Sequence, residues 1–204
     1  MILGVDFDNT IVCYDHAFYR GALAKRLIPS SIPRVKNEIR NYLRDTGQEE
    51  AWTELQGFVY GACMHEAEPF PHVIEFFQRC RQAGIEVFII SHKTRYPYRG
   101  ERCDLHKAAS DWIAQYNLFN GRDAEILANV FLELTKEEKI KRIKEQGCTH
   151  FIDDLPEFLS EPAFPPSVQR ILFDPHNLHD DSGIDFRVSS WSELLTWLSK
   201  QNPA

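Results

Sequence analysis

Residues 2–10, Ile-Leu-Gly-Val-Asp-Phe-Asp-Asn-Thr, constrain the fold more than any other stretch of the chain. An apolar run as short as Ile2–Val5 reads as a buried strand. It stops abruptly at Asp6, and Asp8 follows two residues later. Side chains alternate across a strand, so positions two apart share a face for as long as the strand lasts. The spacing predicts two carboxylates converging at the strand's carboxyl end. Two carboxylates there are costly unless a cation or a proton offsets them, which marks a site rather than a core.

The rest of the chain repeats the theme of short apolar runs between helical stripes. Ile85–Ile90, Asn129–Leu132, His150–Ile152 and Ile171–Phe173 read as strands. Between them, 72–83, the stripe through Leu105, Ala109, Trp112 and Ile113, and 135–146 read as helices; Thr135 with Glu138 and Ser190 with Glu193 form capping boxes. Strands alternating with helices imply a doubly wound parallel sheet covered on both faces. The ligand crevice of such a sheet lies beyond the carboxyl ends of its strands.

The segment 15–64 breaks the alternation. It reads as helices ending near Leu27, running from Pro33 to Arg44, and running from Gln48 to Cys63 with Trp52, Leu55, Phe58 and Val59 on one face. The predicted organisation is an α/β core of residues 1–14 and 65–204 with a small helical insertion, 15–64.

A length of 204 residues, 43% hydrophobic, suffices for one core and a small attached unit. The net charge of −7 argues against a nonspecific nucleic-acid or membrane-surface binder. Asp6 interrupts the first apolar run, which argues against a signal peptide, and no run approaches bilayer length. The expectation is a soluble, cytoplasmic protein without nucleic-acid or membrane partners, its oligomeric state left open. The five scattered cysteines form no C-x-x-C pair and are expected to be reduced.

The polar residues that end the strands form a pattern: Asp6 and Asp8 after the first, Ser91-His92-Lys93 after the second, Lys136 and Lys139 on the helix after Thr135, and Asp153-Asp154 after Phe151-Ile152. D-x-D-x-T at 6–10, an apolar pair then Ser91, a lysine, and an apolar residue then Asp153-Asp154, in that order, resemble the haloacid-dehalogenase-like (HAD) superfamily of phosphotransferases. The resemblance spans nearly the whole chain.

It implies a Rossmann-type core with a helical cap after the first strand, closing over a small phosphorylated metabolite such as a sugar phosphate or nucleotide. It implies Mg²⁺ held by Asp6, the backbone carbonyl of Asp8, and Asp153, with Asp154 supporting that shell. Asp6 would be the nucleophile, Asp8 the acid and base, and Ser91 a phosphoryl-oxygen donor. Thr10, His92 and Lys93 are further substrate-binding candidates. Lys139, at the family's usual distance from the acidic pair, is preferred to Lys136 as the lysine that pairs with Asp6. An aspartate at position 8 resembles the phosphatases and phosphomutases rather than the halide-removing branch. A phosphatase is expected; a phosphomutase or a non-catalytic phosphate-binding module are the alternatives.

Several other features have a bland reading. The basic stretch from His92 to Lys107, with Tyr96 and Tyr98, is either a pocket for a second anionic group or a solvated loop and helix start. Cys103 with His106, and His176 with His179, have zinc-compatible spacings but no second matching pair. Trp52 and Tyr60 could line the cap, though packing within it is the simpler reading.

Overall fold

The computed structural model describes residues 1–119, 129–179 and 183–201. In chain order the elements are β1 (Ile2–Val5), β2 (Val12–Cys13), α1 (Asp15–Ala24), α2 (Lys36–Asp45), α3 (Glu49–Tyr60), a 3-10 turn (Met64–Glu66), β3 (Glu68–Pro69), α4 (Val73–Gln82), β4 (Glu86–His92), α5 (Leu105–Gln115), β5 (Val130–Glu133), α6 (Lys136–Glu145), β6 (His150–Asp153), α7 (Pro156–Leu159), β7 (Gln169–Phe173), β8 (Phe186–Val188) and α8 (Trp191–Gln201). They fall into two compact units. The first is Met1–Ile11, Pro69–Lys93 and Tyr116–Ala204; the second is Val12–Glu68 and Thr94–Gln115.

The first unit is built on a six-stranded sheet in the order β5-β4-β1-β6-β7-β8. Every neighbouring pair is parallel, with Val5 beside Ile89 on one side and Ile152 on the other. The chain winds outward from β1 through β4 to β5, then returns to β6 and winds the other way. That reversal makes the gap between β1 and β6 the topological switch point, where open α/β sheets keep their ligands.

The pleat decides what each face carries. Phe88, Ile90, Phe151 and Leu172 join Ile140 and Ile143 of α6 and Phe158 and Leu159 of α7 in one buried cluster. On the other face Trp191 of α8 packs against Phe76 of α4 and Phe173 of β7, with ring centroids 5.0 and 5.8 Å apart. Gly4 belongs to the first face. A Cβ there would sit 2.7 Å from Phe151 Cε2 and 3.0 Å from Cys148 Sγ, so only glycine lets that ring lie flat on β1.

Both capping boxes form. Thr135 Oγ1 accepts from the Glu138 amide at 3.1 Å, and Ser190 Oγ from the Glu193 amide at 3.3 Å. In each case the glutamate reaches back to the amide just before the capping residue, Leu134 or Ser189. The three shortest strands, β2, β3 and β8, lack any sequence periodicity; β2 and β3 pair as a two-stranded ribbon.

The second unit is helical. Phe18 stacks on Trp52 at 5.0 Å and Tyr14 meets Tyr60 edge-on at 4.9 Å. Trp52 is 2% exposed and is a packing residue. Helix α5 joins this unit through Trp112, whose indole N–H donates to the Ala67 carbonyl at 2.8 Å. The basic stretch before and within α5 is matched by acids: Arg95 with Asp104, Arg99 with Glu50, Lys107 with Asp111, while Arg102 lies over the Tyr96 ring. All five cysteines are free thiols, and burial pushes Cys80 and Cys148 up to about 12. Among the described residues, no helix is long and apolar enough to cross a membrane.

Candidate active site

The site lies at the carboxyl edge of the sheet and follows from strand alternation. Asp6 continues the parity of Gly4, and Asp153 that of Phe151, so both carboxylates belong to the face covered by α6. Lys139, one turn into α6, reaches both. Its Nζ donates to Asp6 Oδ1 at 2.7 Å and to Asp153 Oδ2 at 2.6 Å. The lysine side chain is 3% exposed, that of Asp6 7% and that of Asp153 0%. Lys136 stands at the surface, 4.0 Å from Glu161.

Asp6, Asp153 and Asp154 each present one carboxylate oxygen, and these oxygens lie within 4.8 Å of one another. The Asp153 carboxylate is fixed on its other oxygen by the Leu155 amide at 2.9 Å, and the Thr10 hydroxyl approaches Asp154 Oδ1 at 3.4 Å. Thr10 is itself fully buried and held through its carbonyl by the Trp191 indole.

Burial opposes the Lys139 charge, but Asp153 and Asp6 outweigh it and hold the ammonium above the ordinary lysine range. Burial also pushes Asp153 upward, against the pull of Lys139 and with the repulsion of Asp6. Three carboxylates gather here, and the one ammonium of Lys139 pairs with two of them. A hard divalent cation is the charge that this all-oxygen donor set fits.

Asp8 stands apart from the trio. Its two carboxylate oxygens both accept from Lys93 Nζ at 2.8 Å. The strand ends at Val5, so the alternation that would stack Asp8 above Asp6 does not extend to it. Asn9 takes a left-handed conformation, φ 61°, and the Ile11 amide closes a turn on the Phe7 carbonyl at 3.1 Å. The turn gives Asp8 its own direction. Asparagine tolerates that backbone better than most residues.

Ser91 is buried at the end of β4, 1% exposed. His92 alternates away from it, is exposed, and pairs through Nε2 with the Leu134 carbonyl at 3.1 Å. The structure does not bring His92 to the carboxylates.

One buried carboxylate at this edge has no counterpart in the motif reading. Asp174, 2% exposed, directly follows β7. It accepts from the amides of Leu178 and His179, both at 3.0 Å, and from Arg187 at 2.9 Å. Burial pushes its pKa up, and those amides and Arg187 reverse the effect and hold it below the usual carboxylate range. An aspartate ending an apolar strand, as at Asp6 and Asp153, was the available signal.

The sheet order, the switch point and the carboxylate cluster together define the haloacid-dehalogenase-like α/β fold. Solved structures with that fold cover nearly the whole chain. A predicted phosphatase from Clostridium acetobutylicum matches with a TM-score of 0.61 at 13% identity, covering 98% of each chain. A HAD family hydrolase from Deinococcus radiodurans, solved with phosphate and sodium, matches at 0.57 and 13% identity over 98% of this chain and 95% of its own. CbbY from Rhodobacter sphaeroides, solved with phosphate, matches at 0.54 and 15% identity over 95% of each. In sequence, a Bacillus cereus protein provisionally named a nucleotidase is 25% identical over 207 residues, covering 98% of this chain and all of that protein. No protein-family profile matches the chain.

Proposed function

We propose that this protein is a Mg²⁺-dependent phosphatase that hydrolyses a small phosphomonoester through an aspartyl-phosphate on Asp6. The observation that carries the reading is the cluster of Asp6, Asp153 and Asp154 at the switch point of the sheet, with the buried pair Asp6 and Asp153 sharing the Lys139 ammonium. Nucleoside monophosphates are the first substrates to test, because the Bacillus cereus relative is provisionally named a nucleotidase. Sugar phosphates come second, since CbbY was also solved with xylulose 1,5-bisphosphate.

Asp6, Asp153, the Asp8 carbonyl and, through its support, Asp154 would hold the metal. Bound there, it supplies positive charge against the phosphoryl oxygens. In the first step an Asp6 oxygen attacks phosphorus, the ester P–O bond breaks, and the departing oxygen takes a proton from the Asp8 carboxyl. In the second, water attacks phosphorus, the Asp6–phosphorus bond breaks, and the water's proton goes to the Asp8 carboxylate. Phosphate leaves and both aspartates return to their starting forms. Lys139 aims Asp6 through its 2.7 Å hydrogen bond, and Ser91 donates to a phosphoryl oxygen.

The test is phosphate release from a panel of nucleotides and sugar phosphates, with Mg²⁺ and with a chelator. Metal-dependent release is expected, and Asp6→Asn should reduce it by at least ~10³-fold while the protein stays folded. An isomerised phosphoester with little free phosphate would establish a mutase instead. Unchanged turnover in Asp6→Asn would remove the nucleophile assigned here.

A further inference from the structure

Lys93 is a buried lysine that the mechanism above does not use. Its side chain is 3% exposed, against 19% for Asp8. Its backbone amide extends the sheet by bonding to the Glu133 carbonyl at 2.8 Å, one residue beyond β4. Its Nζ lies 5.7 Å from the centroid of the fully buried Phe7 ring. The anchoring is thus threefold: backbone pairing, the aromatic face, and the equal approach to both oxygens of Asp8.

The two buried lysines divide the acids. Lys139 takes Asp6 and Asp153, and Lys93 takes Asp8. A short carboxylate on a turn has two soft torsions, and an ammonium straddling both its oxygens fixes them. We propose that Lys93 is a positioning residue for the proton-transfer step: it fixes the Asp8 carboxyl in the orientation from which it serves the leaving oxygen, rather than binding the substrate's phosphate. This rests on the phosphatase reading and on Asp8 as its acid.

The two roles differ in how the loss depends on the leaving group. A poor leaving group, such as an alkyl alcohol, needs the proton in the transition state; a nitrophenolate does not. The experiment measures kcat/KM, which reports the first step, for alkyl phosphates and a series of aryl phosphates with wild type, Lys93→Met, Asp8→Asn and the double variant. Misplacing a catalytic group costs about 10²-fold, so Lys93→Met should fall about that much on the alkyl ester and less than about fivefold on p-nitrophenyl phosphate. Its inhibition constant for inorganic phosphate should stay within about twofold of wild type. The double variant should be no worse than Asp8→Asn alone, because the lysine acts through that carboxyl.

A uniform loss across all leaving groups, with weakened phosphate inhibition, would overturn the proposal and assign Lys93 to the substrate. If Lys93→Met alone does not fold, the double variant carries the test: a leaving-group profile lower throughout than that of Asp8→Asn overturns the proposal equally. Absence of turnover by the wild-type protein on every ester would overturn the phosphatase reading and this inference with it.

Discussion

Replacing Lys139 by methionine keeps the length of the side chain and removes one ammonium from between Asp6 and Asp153. The lost contacts are two charge-assisted hydrogen bonds of 2.7 and 2.6 Å. Bonds to charged groups contribute roughly 1.5–3 kcal/mol each. Removing one partner of a buried ion pair costs about 3–5 kcal/mol, because the survivors stay buried without compensation. With Asp153 at 0% and Asp6 at 7% exposure, there is little water to soften that. The two estimates overlap, so a loss of about 3–5 kcal/mol is expected for the metal-free protein.

For a chain of this size about 1 kcal/mol moves the Tm by ~2–4 °C, so the Tm should fall by roughly 6–20 °C. The assay is thermal unfolding by circular dichroism in chelator at pH 7, repeated with Mg²⁺. Added Mg²⁺ should recover more stability in the variant than in wild type, since more uncompensated carboxylate awaits it. Because the Lys139 ammonium is held above its ordinary range, its contribution is complete below the unfolded lysine value of about 10.4 and is lost only as the pH rises through the higher folded value. The deficit should therefore persist at pH 9. Lys136→Met is the control: its loosely held surface pair predicts a change within about 0.5 kcal/mol. A Lys139→Met melt within about 2 °C of wild type in chelator would refute the reasoning.

Two further outcomes are expected. Asp174→Asn should cost about 1–3 kcal/mol at pH 7, by weakening the bonds from Leu178, His179 and Arg187. Since the folded value of Asp174 is depressed, its stabilisation is present above the unfolded value of about 3.9 and is lost as the pH falls through the lower folded one. Urea melts should show the deficit closing towards pH 3, and an equal deficit at pH 7 and pH 3 would contradict the ion-pair origin. Gly4→Ala forces a methyl into the Phe151 ring and the Cys148 sulfur, so urea denaturation should show a loss of at least about 1–3 kcal/mol. A neutral result would mean that β1 and Phe151 are not packed as described.

Strands β1, β4, β6 and β7 were legible because each is an apolar run stopped by a polar residue, and their alternation with helices implied a parallel sheet. The shortest strands, such as Phe186–Val188, fall below the window in which periodicity has meaning. Asp6, Asp153, Asp154 and Lys139 were legible as a group through motif order. The partner of Asp8 was not. Lys93 lies 85 residues away, and local spacing carries no information about which of two carboxylates a distant lysine meets. Strand parity could have separated His92 from Ser91 and Lys93, but adjacency to Ser91 drew it into the same group. The basic residues around Tyr96 read equally as a pocket or as solvated ions. The fold brings Glu50 to Arg99 from a distant helix, while Asp104 and Asp111 lie close in the chain to Arg95 and Lys107.

The helical unit is drawn from two stretches, Val12–Glu68 and Thr94–Gln115, threaded through separate gaps in the core sequence. An accessory module spliced into one loop can be deleted or exchanged in a single recombination event; this one cannot. Trimming the first stretch alone would remove Ala67, the acceptor for the Trp112 indole, and uncover the buried side of α5 at Leu105, Ala109 and Trp112. Chimeras built to change substrate preference must therefore carry both stretches together, and natural divergence of the two should have proceeded in step.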